Sequence, residues 1–385
     1  MTTHSEKQAL PPEWKPRFSR SALPALRREW PLALTLLTTA LFLAFGRSWL
    51  DDLTNPLWFA FVLLWLFAVI LLAAFAVVRH AEALAEKLGE PLGTLILTLA
   101  VTGIEVMMIA AVMYVGPGNA TLARDAMFAV VMIVLNGMVG LSLLLGGLRH
   151  HEQTYNLQGA NAFLAVIVPL AVLGLVLPNF TSSSPGPTFS PLQSAFLIVM
   201  SIGLYGVFLS IQNLRHRDYF VTPESDAATA GEHAIHSPAA HAALLLAYLL
   251  PVAVLSKQLG VPIQHGIGVL HAPAALGGFL VAVLILSPES FSAVRAALSN
   301  QLQRSVNILL GSVLATISLT IPAVLTIGFV TRQTIVLGVD PVDTILLLLT
   351  LAVSVLTFAS ARTNVLLGAV HLLLFLAYLM LIFEK

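Results

Sequence analysis

Eleven runs of about twenty predominantly apolar residues recur along the chain, at about 30–49, 57–78, 93–115, 124–147, 160–178, 190–211, 239–256, 267–287, 306–330, 342–359 and 363–382. A hydrocarbon layer of roughly 30 Å takes about twenty helical residues to cross. Backbone in lipid must satisfy its own hydrogen bonds, so each run reads as a helix. The predicted fold is all-α, a polytopic membrane protein of about eleven transmembrane helices. With 58% hydrophobic and 10% charged residues over 385 positions, most of the chain must face lipid or the interior of a helical bundle.

The charged residues that remain are balanced, 19 Lys and Arg against 19 Asp and Glu, which leaves no basic field of the kind nucleic acid requires. With no cysteine, disulfides, thiolate metal sites and cysteine nucleophiles are excluded. Residues 1–29 are polar, basic and proline-containing, which reads as a cytoplasmic tail rather than a cleaved leader. Crossing the membrane once per run from that tail places fourteen of the Lys and Arg residues on the N-terminal side. Only Arg47, Arg124, Lys257, Arg332 and Lys385 fall on the other. This asymmetry predicts a multi-pass protein of the cell inner membrane with its N-terminus cytoplasmic and its C-terminus external.

The longest polar connection, 213–238, contains His216, Arg217, Asp218, Glu224, Asp226, Glu232, His233 and His236. It divides the chain into a leading helix with its loop (30–56), a first five-helix unit (57–212) and a second (239–385). Two units of five crossings joined in this way have opposite orientations, the plan of inverted-repeat transporters. A trace of duplication survives: LAEKLGEP from Leu84 reappears as LSKQLGVP from Leu255, both expected just after the first helix of a unit. Twelve residues beyond Arg124 stands Asn136, and twelve beyond Arg304 stands Thr316. The interval from Pro91 to Glu105 is shorter than that from Pro262 to Glu289, which predicts an insertion at QHGIGVLHAPAALGG.

The second helix of each unit carries an acid, Glu105 in LILTLAVTGIEVMMIAAVM and Glu289 in FLVAVLILSPESFSAVRAAL. A charge at mid-membrane costs about 2.5–3.5 kcal/mol on insertion scales, so such residues mark ion or proton pathways. Pro288 directly before Glu289 is expected to end or break its helix, and discontinuous helices expose carbonyls to ions. A hard cation takes six to eight oxygens. Two glutamates supply charge, while Asn136, Thr102, Thr98, Ser312, Thr316 and Ser287 are the candidate neutral oxygens. Protons and a metal ion compete for paired carboxylates, and that competition couples their movements. Exporting Ca²⁺ against about four decades costs about 5.6 kcal/mol, and about 4.6 kcal/mol more for two charges against 100 mV. Two entering protons return only the second amount, so such an exporter needs a pH gradient or a third proton.

Histidines offer further proton chemistry. His150 and His151 lie past the fourth helix, where they sense pH, recruit ions or simply solvate a helix end. His271 and His371 lie in apolar runs, where they relay protons or hydrogen-bond within the bundle.

The segments GEPLGTLILTLAVTGIEV, MIVLNGMVGLSLLLGGLRHHEQTYN and ILSPESFSAVRAALSNQLQRSVNILLGSVLATISLTIP resemble the calcium/cation antiporter superfamily. Within it they resemble the Ca²⁺/H⁺ exchangers, in particular the bacterial calcium/proton and sodium-potassium/proton antiporter branch. The resemblance implies two inverted five-helix repeats around a central ion site, with Glu105 and Glu289 presented by the second helices. It implies that polar groups of the third helices, Asn136 and the Ser312 to Thr316 region, complete that site. Where exchangers of this kind have a Gly-Asn-Ala-type tripeptide before each glutamate, this chain reads Thr102-Gly103-Ile104 and Leu286-Ser287-Pro288. Ser290 stands where a histidine often follows the second glutamate. These departures leave Ca²⁺ and Na⁺/K⁺ both open as the cation.

The expected function is export of Ca²⁺, with Na⁺ and K⁺ as further candidates, in exchange for H⁺. The expected partners are inorganic cations, protons and lipid, with no nucleic acid and no cofactor. The alternatives are a Na⁺(K⁺)/H⁺ antiporter without Ca²⁺ transport, a cation channel lined by the same acids, and an intramembrane enzyme. The last lacks HExxH and GxSxG motifs.

Overall fold

The computed structural model describes residues 29–89, 92–113, 120–221 and 237–384. Within them the chain forms eleven long helices: α1 (Trp30–Asp51), α2 (Pro56–Leu88), α3 (Leu92–Met113), α4 (Leu122–His150), α5 (Leu157–Phe180), α6 (Pro191–Arg215), α7 (Pro238–Val269), α8 (Ala275–Leu298), α9 (Leu302–Thr331), α10 (Pro341–Thr357) and α11 (Val365–Phe383). Their starts are written in the sequence. Asn55 caps α2, its Oδ1 accepting from the backbone N–H of Leu57 at 3.0 Å, with Pro56 in the first turn. Ser190 and Gln193 form a capping box ahead of α6. Asn156, Ser237 and Asn364 cap α5, α7 and α11 in the same way.

Alternate helix ends meet, so the bundle has two faces. On the face carrying Glu29, Arg79, nine residues before the end of α2, pairs with Glu29 at 2.8 Å. There Gln153 donates to the carbonyl of Ala297 at 2.9 Å, and Asn307 to that of Phe220 at 2.6 Å. A two-residue antiparallel ribbon, β1 (Gln153–Thr154) with β2 (Arg362–Thr363), ties the α4–α5 and α10–α11 connections together on that face. On the far face Arg124 donates to the carbonyl of Gly338 at 3.0 Å and Asn179 to that of Val339 at 2.6 Å.

The third helix of each five-helix unit lies at the centre. The apolar windows of α4 and α9 are 78% and 72% buried, against 22% for those of α1, α6 and α11. Both central helices contain a π-helical stretch, Met132–Met138 in α4 and Thr316–Thr320 in α9. Around them the outer helices show apolar side chains to lipid. Phe45, Trp49, Trp58, Phe61 and Trp65 form a continuous aromatic series on α1 and α2, stacked except for the edge-to-face contact of Trp49 with Trp58, as expected of rings at a membrane boundary.

Three expectations change. The helix expected to end near 256 runs to Val269, so LSKQLGVP and Pro262 lie inside α7, whereas LAEKL closes α2. Intrahelical bonds lost at a proline are compensated by neighbouring helices in a bundle. The helix expected at 267–287 accordingly begins only at Ala275. Ser287-Pro288-Glu289 breaks nothing either: α8 passes through Pro288 to Leu298. Glu224, Asp226, Glu232, His233 and His236 of the polar connection, and most of the N-terminal tail, lie outside the described residues.

Candidate functional site

Glu105 lies thirteen residues into α3, about 20 Å from the start of that helix at 1.5 Å per residue. Glu289 lies nine residues, about 14 Å, before the end of α8. Because α3 and α8 run in opposite directions, both side chains reach one cavity, of about 240 Å³. Its walls come from α2, α3, α5, α6, α8 and α9, mostly from the halves nearer Glu29, with Glu105 of α3 and Ile285 and Leu286 of α8 at about mid-helix. The cavity therefore descends from the N-terminal face to mid-bundle.

At its inner end Thr316 donates to Glu105 Oε2 at 2.8 Å. One turn earlier on α9, Ser312 donates to Glu289 Oε2. The two glutamates thus come from the two units, while both of these hydroxyls come from α9. Glu105 is 3% exposed and Thr102 is 5% exposed, and both line the cavity. Glu105 Oε1 and Thr102 Oγ1 have no hydrogen-bond partner. Buried polar atoms without partners are costly and uncommon; these two line the bottom of the cavity, where the Thr320 hydroxyl of α9 also approaches the Glu105 carboxylate. Thr98 lines it one turn above Thr102. The carboxylates of Glu105 and Glu289 are close enough for their charges to interact. Among the described residues no three His, Cys, Asp or Glu side chains converge to hold a metal. A cation here depends on hydroxyl, carbonyl and water oxygens beside the carboxylates.

The other candidate residues lie elsewhere. Asn136 is wholly buried in the π-helical part of α4, but its Nδ2 donates to Thr350 Oγ1 at 2.8 Å and its Oδ1 lies 3.2 Å from His371 Nδ1. Thr357 Oγ1 lies 2.9 Å from His371 Nε2. An amide oxygen only accepts, so Nδ1 carries the proton and Nε2 accepts from Thr357. Asn136 and His371 therefore form a polar junction of α4, α10 and α11, away from the walls of the cavity. Ser287 bonds back to the carbonyl of Val283 at 2.6 Å, the usual satisfaction of a hydroxyl in a membrane helix. His150 Nε2 lies 3.0 Å from the carbonyl of Leu298, and His151 is exposed at the end of α4 with φ 64°. The helical placement of His271 is corrected: it is exposed in the turn between α7 and α8 with φ 49°. The extension of α7 to Val269, followed by Pro273, moves it out of the apolar run. Sequence reasoning passed over Glu82, Gln212, Ser292 and Asn307, all of which line the cavity. Their residue types were the only signal, because each lies within six residues of a helix end, where polar side chains are ordinary. The six helices converging on one space did not show in linear spacing.

These features define a helical membrane protein with a cavity that reaches two buried acids. The chain belongs to the sodium/calcium exchanger protein family, whose description matches residues 58–214 and 241–384. It is 40% identical over 370 residues to the sodium-potassium/proton antiporter ChaA of Escherichia coli (strain K12), covering 95% of this chain and 99% of that one. It is 27% identical over 313 residues to a Ca(2+)/H(+) antiporter of Aphanothece halophytica, covering 77% and 82%. The solved structure of native YfkE superposes with a TM-score of 0.69 at 18% identity, covering 91% of this chain and all of that one. That likeness shows a shared fold.

Proposed function

We propose that this chain is a proton-coupled cation antiporter that exports Ca²⁺ in exchange for H⁺, with Glu105 and Glu289 as the shared site. The observation that carries this reading is one cavity reaching mid-bundle, with a buried carboxylate from each five-helix unit and an unpartnered oxygen on Glu105. An entering cation displaces the protons of the carboxylates, and its release lets protons return, so the two species move in opposite directions through one binding site. Thr102, Ser312 and Thr316 supply neutral oxygens.

The units are 57–212 and 239–385, after a tail at 1–29 and a leading helix and loop at 30–56, with 213–238 between them. The two separate stretches of the family match support that division. The N-terminal face is cytoplasmic and the membrane is the cell inner membrane, a reading supported by the fourteen-to-five distribution of Lys and Arg. Rocking of the two units about the glutamates closes the present path and opens one to the far face.

A second reading, Na⁺ or K⁺ in place of Ca²⁺, is favoured by the similarity to ChaA over almost the whole chain. It is also favoured by the absence of a Gly-Asn-Ala tripeptide beside the glutamates. The test is cation-dependent collapse of a pH gradient in everted vesicles, adding Ca²⁺, Na⁺ or K⁺ between about pH 7 and pH 9. Wild type names the ion, and Glu105→Gln and Glu289→Gln each abolish the response. Full exchange in both variants rules out the shared-carboxylate site. Flux without an opposing pH gradient points to a channel.

A further inference from the structure

The cavity carries a third carboxylate. Glu82 of α2 lines it together with Gln212 of α6, Ser292 of α8 and Asn307 of α9. Glu82 lies six residues before the end of α2, about 9 Å along the helix, compared with about 14 Å for Glu289 and about 20 Å for Glu105 from their own helix ends. The three acids thus descend from the N-terminal face in the order Glu82, Glu289, Glu105. Glu82 and Glu289 are near enough for their charges to interact, as are Glu289 and Glu105. At the mouth, one carboxylate, two side-chain amides and a hydroxyl surround the path with the oxygen donors that a hard cation accepts while it is partly hydrated.

An acidic mouth alone does not make a path. Here the cavity ends on two buried, unpartnered oxygens, Glu105 Oε1 and Thr102 Oγ1, which are the acceptors a desolvated cation requires. We propose that Glu82 is the access residue of this half-channel, drawing the cation in from the N-terminal face and passing it to Glu289 while remaining outside the central site. This rests on the reading of the cavity as the cation path. A carboxylate in a narrow mouth raises the local concentration of cations. It acts only on cations that pass it. When the bundle opens to the far face, the route to Glu289 and Glu105 no longer runs past Glu82, so the effect belongs to one side.

The experiment titrates whichever of Ca²⁺, Na⁺ and K⁺ the wild type exchanges, presented to each side in turn using everted and right-side-out vesicles. Glu82→Gln raises the half-saturating concentration by about three- to tenfold from one side and leaves it unchanged from the other, with the maximal rate retained. Raising ionic strength with choline chloride shrinks the difference. Gln212→Glu, which puts a carboxylate back at the same mouth, restores tight half-saturation to Glu82→Gln. Should Glu82→Gln not fold, Gln212→Glu in the wild type decides the matter by lowering half-saturation from that side alone. Half-saturation unchanged on both sides, or shifted equally on both, overturns the proposal. Glu105→Gln is assayed in parallel: retained exchange there overturns the two-glutamate site, whereas loss there with normal half-saturation in Glu82→Gln overturns only the access role.

Discussion

Thr316 and Asn136 stand at the same register of α9 and α4, fourteen residues beyond Leu302 and Leu122, yet only Thr316 reaches the cavity. Each lies in a π-helical stretch, where the hydrogen-bond register slips by one residue and side chains are re-aimed. Thr316 donates to Glu105, and Asn136 is turned toward Thr350 and His371. The two units therefore differ at a position where their registers correspond. Such a difference is what a bundle open to one face requires, since equal units in equal conformations would open to both faces or neither.

The first prediction concerns Thr316. Thr316→Val keeps the shape and removes the donor to a buried carboxylate, an interaction worth about 1.5–3 kcal/mol when one partner is charged. The half-saturating cation concentration in the pH-gradient assay rises by about tenfold or more, whereas Thr316→Ser stays within about twofold of wild type. Wild-type behaviour of Thr316→Val removes this hydroxyl from the site.

The second concerns the buried junction. Asn136→Ala leaves His371 Nδ1–H and Thr350 facing a void and lowers the stability of the detergent-solubilised protein by about 1–3 kcal/mol. His371→Ala alone has a similar cost. The double variant costs less than the two added together, because Asn136 and His371 share one hydrogen bond. Thermal unfolding of the four proteins measures the coupling, and strict additivity contradicts the described contact.

Much of this was legible in the linear sequence because lipid leaves few choices. Apolar runs of twenty residues can only be helices, so all eleven were placed, most within a few residues of their ends. Glu105 and Glu289 stood out because a charge inside such a run needs a reason. What failed depended on three-dimensional packing. Pro288 read as a break because an isolated helix loses a hydrogen bond at proline, and LSKQLGVP with Pro262 read as lying beyond its helix, but α7 and α8 continue through both prolines. Asn136 read as a partner of the glutamates from its depth and from the family resemblance, neither of which tells which way a π-helical turn aims a side chain. Glu82 was passed over because it lies near the end of its helix, where a solvated acid is ordinary. Only the convergence of α6, α8 and α9 makes it the rim of a cavity.

A third prediction tests the packing of α8 on α4. A Cβ on Gly278 would sit 2.7 Å from the backbone nitrogen of Ala126 and 2.8 Å from the carbonyl carbon of Asp125, so the two helices touch backbone to backbone. Close approach through small residues is how membrane helices associate. Gly278→Ala forces the helices apart and costs about 1–3 kcal/mol, read as lower yield and a lower unfolding temperature. Gly203, with nothing within 4 Å of its Cβ position, tolerates alanine without loss. Equal behaviour of the two variants contradicts the close crossing.

The last prediction is a dependence of stability on pH, centred on Glu29. Its carboxylate accepts from Arg79 at 2.8 Å and from the hydroxyl of Tyr248 at 2.9 Å, and lies 3.3 Å from His80 Nε2, while His80 Nδ1 lies 3.0 Å from His241 Nδ1. One carboxylate thus joins the start of α1 to α2 and α7. Burial pushes Glu29 up, but the Tyr248 hydroxyl, the Arg79 guanidinium and the His80 ring outweigh it and hold the carboxyl below its ordinary 4.5. A carboxyl whose folded-state pKa is lowered stabilises the fold above its unfolded value. It loses that contribution as the pH falls through the folded one. Glu29→Gln is therefore less stable than wild type at neutral pH, by about 1–2 kcal/mol for the lost hydrogen bonds to a charged group. The gap is widest at neutral pH and narrows as the pH falls below the ordinary 4.5 and through the lowered folded value, where wild type protonates Glu29. Thermal unfolding of both proteins across that range measures the gap, and a gap that stays constant to the acid limit means that this carboxylate is not held by the three partners described.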